Sequence, residues 1–180
     1  MLWHRLRSRP ARGIREAGLS DHDPGIETAS QGGFVTGVHA AVGIAVIAAN
    51  VLAGAWGGVA WLRRSPSIVF WYLLRAAQVI VVIQVALGLA LILTGRETPD
   101  ELHFIYGIAP LVVSLVSEGM RVGAAQRELD ELEDGRELES LERSEQAAIA
   151  RRVVRREMGV MTVGALLIVT LALRAAFGTA

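Results

Sequence analysis

His39 and His103 are the residues of this chain best suited to chemistry, because a neutral imidazole can ligate a metal, take a proton or hydrogen-bond through either nitrogen. Each stands near the start of an apolar segment and is followed four residues later by glycine, as His39-Ala-Ala-Val-Gly43 and His103-Phe-Ile-Tyr-Gly107. Helical steps onward from His103 reach Pro110, Ser114, Ser117 with Glu118, and Arg121; from His39 they reach Val46, Asn50, Gly54 and Gly57. Both segments therefore carry a small or polar stripe on one helical face, and the two stripes are expected to face each other inside a bundle. Glycine one turn below each imidazole removes side-chain bulk. A flat macrocycle with two axial imidazoles, a haem b with His39 and His103 on its iron, can use such a gap. Arg174 and Arg96 stand where its propionates would need cations.

The elements that position these residues are four apolar blocks. Of 180 residues, 52% are apolar, and they concentrate in Phe34 to Leu62, Ile68 to Thr94, Leu102 to Val122 and Met158 to Phe177. Each block matches or exceeds the roughly 20 residues a helix needs to cross the bilayer core. No alternating pattern of about ten residues points to a barrel, and unpaired backbone is not tolerated in lipid. The expectation is an all-α integral membrane protein of the cell membrane, a four-helix up-down bundle. In that arrangement the first and third helices run parallel, and both imidazoles lie toward the same end.

Three further segments complete the plan. Residues 1–33 carry Arg5, Arg7, Arg9, Arg12 and Arg15, with no apolar run after them, and read as a flexible tail rather than a signal peptide. Asp21, His22 and Asp23 in this tail are adjacent ligand types, for which solvation is the plainer reading. Residues 34–122 hold the first three membrane helices and 158–180 the fourth. Between them, 123–157 alternates charges with Leu129, Leu132, Leu138, Leu141, Ile149 and Val153, and reads as a charged helical hairpin outside the membrane, either solvated or a docking surface for a protein partner.

All eighteen basic residues are arginine. Arg63, Arg64, Arg121, Arg127, Arg151, Arg152, Arg155 and Arg156 flank the first and third loops, against Arg96, Arg174 and the distant Arg15. By the positive-inside rule, loops 63–67 and 123–157 are expected in the cytoplasm and both termini outside. The formal net charge of zero argues against nucleic acid as a partner, and the absence of cysteine excludes disulfides, thiolate metal sites and iron–sulfur clusters. Arg75 and Glu118 fall at similar depth in the second and third helices and are expected to form a structural ion pair. Arg75 and Gln84 fall on opposite faces of the second helix, so one of them must reach past the core or meet another subunit. Pro110 is expected to kink the third helix.

The residues from Phe34 to about Ala125 resemble one four-helix half of heme A synthase and related b-type haem membrane proteins. The run from His39 to Gly43 is similar to that family's histidine motif, Gln84-Val-Ala-Leu-Gly88 to its Gln/Gly pattern, and Leu102 to Gly107 to its third-helix run. The resemblance implies a single haem held between His39 and His103. Thr36 stands where the family has an acidic residue, the outer-loop cysteines are absent, and one bundle replaces two, which argues against synthase activity.

Two readings follow. In one, the bundle binds one haem for electron transfer, haem handling or respiratory-complex maturation. In the other, the histidines and glycines serve helix packing, Gly54 and Gly58 forming a G-x-x-x-G, in a non-catalytic subunit of a membrane complex. A quinone or other cofactor at the histidines is a further possibility. A hydrolase is disfavoured, since about 16 Å and 21 Å of helix rise separate Ser114 and Ser117 from His103.

Overall fold

Apolar runs of Ala, Val, Leu and Ile without internal turn chemistry leave the backbone to satisfy its own polar groups, and the helix does this within a single segment. The computed structural model describes residues 24–96, 101–130 and 141–178, with the side chains of 24–32, 128 and 129 excepted. The described residues form α1 (Pro24–Leu62), α2 (Ile68–Leu93), α3 (Glu101–Asp130) and α4 (Arg143–Phe177). All four are long and apolar enough to cross a membrane. The Asp21-His22-Asp23 group and the first five arginines lie outside the described residues.

Helix ends follow local sequence. Beyond Leu62 the chain turns through backbone bonds from Arg63 to Val59, Arg64 to Trp61 and Ser65 to Ala60, at 3.0–3.1 Å. Arg64 sits in the left-handed region with φ 55°, a conformation that costs a residue with a Cβ about 1 kcal/mol. Pro66 prevents continuation, and the Ser67 hydroxyl caps α2 by accepting from the Phe70 amide at 3.3 Å. The end of α2 makes the same reversal with Gly95 at φ +80°, where no side chain is strained.

The helices form a ring in which α1 packs on α2 and α4, and α3 packs extensively on α4 and more sparingly on α2. Small residues set the closest approaches. Gly54 lies against Leu166, Gly57 against Phe70 and Thr162, Gly159 against Trp61, and Gly164 against Ser117. One apolar cluster, Ala53, Ala60, Phe70, Leu74, Met158, Met161 and Ala165, joins α1, α2 and α4, and a second, of Val46, Val81 and Ile168, lies nearer the histidines. Buried polar residues share this interior: Asn50, Ser114, Ser117 and Thr162. Large apolar side chains such as Leu52, Val82, Leu115 and Leu167 are exposed on the outside instead.

Four expectations are revised by this arrangement. The two small-and-polar stripes do line the interior, but below the histidines they do not pack on each other. The α1 stripe meets α2 and α4, and Ser117 meets Gly164 of α4, because α1 and α3 stand diagonally in the ring. The close pair on α1 is Gly54 with Gly57; a Cβ on Gly58 would find only Thr162 Cγ2, at 3.9 Å. The first helix reaches back to Pro24, into the expected tail, although its stretch long and apolar enough to cross a membrane starts at Gly33, beside the expected Phe34; proline suits a first helical turn. Finally, the described parts of 123–157 are not helices separate from α3 and α4. Gly123 does not end α3 and nothing breaks α4 before Met158, so the arms are continuations of those helices to Asp130 and from Arg143. Leu132 and Leu138 lie outside the described residues, whereas Ile149 is buried and Val153 half-buried. Helix α3 continues through a buried Pro110.

Candidate functional site

His39 stands within α1 and His103 in the first turn of α3, and the two imidazoles meet across the bundle diagonal. Their ring centroids are 6.3 Å apart with planes inclined at 59°. Each ring has a protein partner. His103 Nδ1 lies 3.1 Å from the carbonyl oxygen of Ala175, one of the α4 carbonyls that no helical amide reaches. A carbonyl only accepts, so Nδ1 carries a proton and donates it.

His39 is held from α2. Its Nε2 lies 3.3 Å from Gln84 Nε2, and the amide donates to an imidazole whose own proton is then on Nδ1. His39 Nδ1 and Gln84 Oε1 are both buried without a hydrogen-bond partner among the described residues. Exchanging the amide oxygen and nitrogen lets Gln84 accept from Nε2–H, and still leaves one ring nitrogen of His39 unpaired. Glycines permit this approach: a Cβ on Gly88 would come within 3.2 Å of His39 Cε1, and one on Gly43 within 3.2 Å of Gln84 Nε2.

The six residues expected around a cofactor thus divide. His39 and His103 are brought together, and Gly107 has open space where a Cβ would stand. The space at Gly43 is taken by the Gln84 amide. Arg174 is exposed, its guanidinium 5.8 Å from the centroid of Tyr106. Arg96 is exposed beyond the end of α2 and makes a backbone bond to Leu91. Sequence reasoning missed Tyr106 and the Ala175 carbonyl. Tyr106 was accessible in principle, being three residues after His103 on the same face; a main-chain oxygen leaves no sequence signal. Among the described residues no group of three or more His, Cys, Asp or Glu side chains converges on a metal position.

At the opposite end, Glu118 gathers a charged network from three helices. Arg75 Nη1 donates to Glu118 Oε1 at 2.5 Å and to Gln78 Oε1 at 2.7 Å, while Gln78 Nε2 donates to Glu118 Oε1 at 2.8 Å. Arg121 Nε donates to Glu118 Oε2 at 3.0 Å, and its Nη1 lies 3.7 Å from Glu157 Oε1. The Arg121 guanidinium also lies 5.6 Å from the centroid of Trp71. Arg75 and Gln84 do leave α2 on different faces, one toward α3 and the other toward α1. Arg75 meets its partner within this chain, with 52% of its side chain exposed.

Neither a protein-family model, nor a curated protein sequence, nor a solved structure matches the chain.

Proposed function

We propose that the chain is a four-span up-down bundle of the cell membrane that binds one b-type haem between His39 and His103. The observation that carries this reading is the imidazole pair. His39 and His103 would hold the group, their ring centroids standing 6.3 Å apart, a separation that would leave room for one metal atom between two imidazole nitrogens. With Nδ1 donating to Ala175, Nε2 would be the ligating atom, and a carbonyl partner of this kind fixes ring orientation. Ligation by His39 Nε2 requires the Gln84 amide to turn aside, and Gly107 offers the space beside the pair. Bound haem would supply one-electron chemistry for electron transfer, haem handling or respiratory-complex maturation, with Arg174 and Arg96 as the cations for its propionates.

Membrane insertion is supported by the four long apolar helices and by the many large apolar side chains exposed on their outer faces. The arginine-rich end is the cytoplasmic one in this reading, with both termini outside. A second reading, a non-catalytic assembly subunit, is favoured by the protein partners that both histidines already have. Its docking surface would be the arms in 123–157.

Optical spectra of the detergent-purified protein, produced with ample haem, separate the two. Sharp bands on dithionite reduction are expected, and each of His39→Ala and His103→Ala is expected to abolish them. A colourless wild-type protein would sink the haem reading and leave the subunit one. Gly107→Leu fills the space beside the pair, and is expected to prevent haem uptake while the thermal midpoint of the haem-free protein stays unchanged. Normal haem content in that variant would show that the macrocycle does not lie there.

A further inference from the structure

The histidine-distal end of the bundle concentrates charge and aromatic rings at one level. Along the α1–α4 contact, Gly54 faces Leu166, Gly57 faces Thr162 and Trp61 faces Gly159. This antiparallel register, continued by one turn, sets Arg63 and Arg64 level with Arg155 and Arg156. Arg121 of α3 joins the same level through Glu157 and Trp71. Arg63, Arg64 and Arg155 are exposed, and the nearby carboxylates Glu118 and Glu157 are already engaged by Arg75 and Arg121.

The turn bearing Arg63 and Arg64 is pre-formed. Backbone bonds close it, and Trp56 Nε1 donates to Ser67 Oγ at 2.9 Å across it. Arg64 keeps a full side chain at φ 55°, where the equivalent reversal after α2 uses Gly95. Backbone strain of this kind clusters at functional sites. Directly beneath these cations the outer surface is apolar and aromatic, with Trp56, Trp61 and Tyr72 exposed. Indole and phenol rings of this kind sit at the headgroup level of a bilayer.

We propose that the Arg63–Ser67 turn and Arg155 bind the phosphate of an acidic phospholipid, whose chains lie along the apolar face below. The cations supply charge, the fixed turn lowers the cost of ordering them, and the aromatic residues select a lipid over a free anion. The proposal rests on the membrane reading above, which has its own check: the chain should stay with membranes through alkaline carbonate extraction.

The test measures lipid binding to the full-length protein in neutral detergent by native mass spectrometry. Phosphatidylglycerol is expected to bind at least about tenfold more tightly than phosphatidylcholine, and the combined Arg63→Gln, Arg64→Gln and Arg155→Gln variant to lose that preference with its helical circular dichroism intact. Should the combined variant misfold, Arg63→Gln and Arg155→Gln alone are each expected to weaken phosphatidylglycerol binding about fivefold. Equal affinity for the two lipids, or an undiminished preference in these variants, overturns the proposal. So does displacement of the lipid by millimolar inorganic phosphate, which would mark a free-anion site. A chain released by carbonate loses the membrane reading itself; one that stays in membranes without lipid preference loses only this proposal.

Discussion

Gly57→Ala is expected to lower stability by about 1–3 kcal/mol, whereas Gly58→Ala, one residue on, leaves it unchanged or slightly raised. A methyl group at position 57 meets the Phe70 ring and the Thr162 hydroxyl at once, both fully buried, at distances real Cβ atoms do not adopt. Neither neighbour can yield cheaply. Phe70 is part of the cluster joining α1, α2 and α4, and Thr162 stands on the facing turn of α4, so relief requires α1 to move from both neighbours. At position 58 the nearest atom is Thr162 Cγ2 at 3.9 Å, ordinary contact distance. There only the gain in helix propensity remains, about 1 kcal/mol at most. Thermal midpoints in one detergent, with helicity followed by circular dichroism, check the pair. Equal shifts for the two variants would mean that α1 does not approach α2 and α4 through Gly57.

Glu118→Leu is expected to destabilise more than Arg75→Leu, by about 1–3 kcal/mol against about 1 kcal/mol or less. Glu118 accepts from Arg75, Gln78 and Arg121, so its loss leaves two guanidinium groups and an amide without their shared acceptor. Removing Arg75 leaves Glu118 still held by Gln78 and Arg121. The half-exposed Arg75 side chain also has more freedom to find water than Arg121, which is confined by Trp71 and Glu157. Combining Arg75→Leu with Glu118→Gln is expected to cost less than the sum of the single changes, because a glutamine amide oxygen at this position still accepts from Arg121. Denaturation midpoints for the single and double variants decide this. Additive effects would show that the network does not couple α2 to α3.

Helix number and the inward faces are legible in the amino-acid sequence, since they depend on apolar run length and on the 3.6-residue period. Asn50, Ser114 and Ser117 fall on the expected stripes and are buried. The depth of Arg75 and Glu118 follows from counting residues from the helix ends. Which helices are neighbours is not written in the same way. A stripe defines a face, but the ring order decides whether that face meets the next helix or the diagonal one, and it turns the stripes of α1 and α3 toward α2 and α4. The same limit hides the contact of Gln84 with His39 and the dual role of Arg121, each of which needs a particular pair of helices in a particular register. Thr162 gives no signal at all. It lies in an apolar run, and only the approach of Gly57 makes its position significant.

The diagonal placement of the histidines has a consequence for biogenesis. The chain is made in order, so the pair α1 and α2, a first hairpin, precedes the pair α3 and α4, a second. His39 belongs to the first hairpin and His103 to the second. Neither hairpin alone contains the imidazole pair, and the second is complete only when Ala175, near the end of α4, has been made to hold the His103 ring. The site is therefore assembled last, after both halves have docked. A ligand that needed both rings would find them together only in the finished molecule.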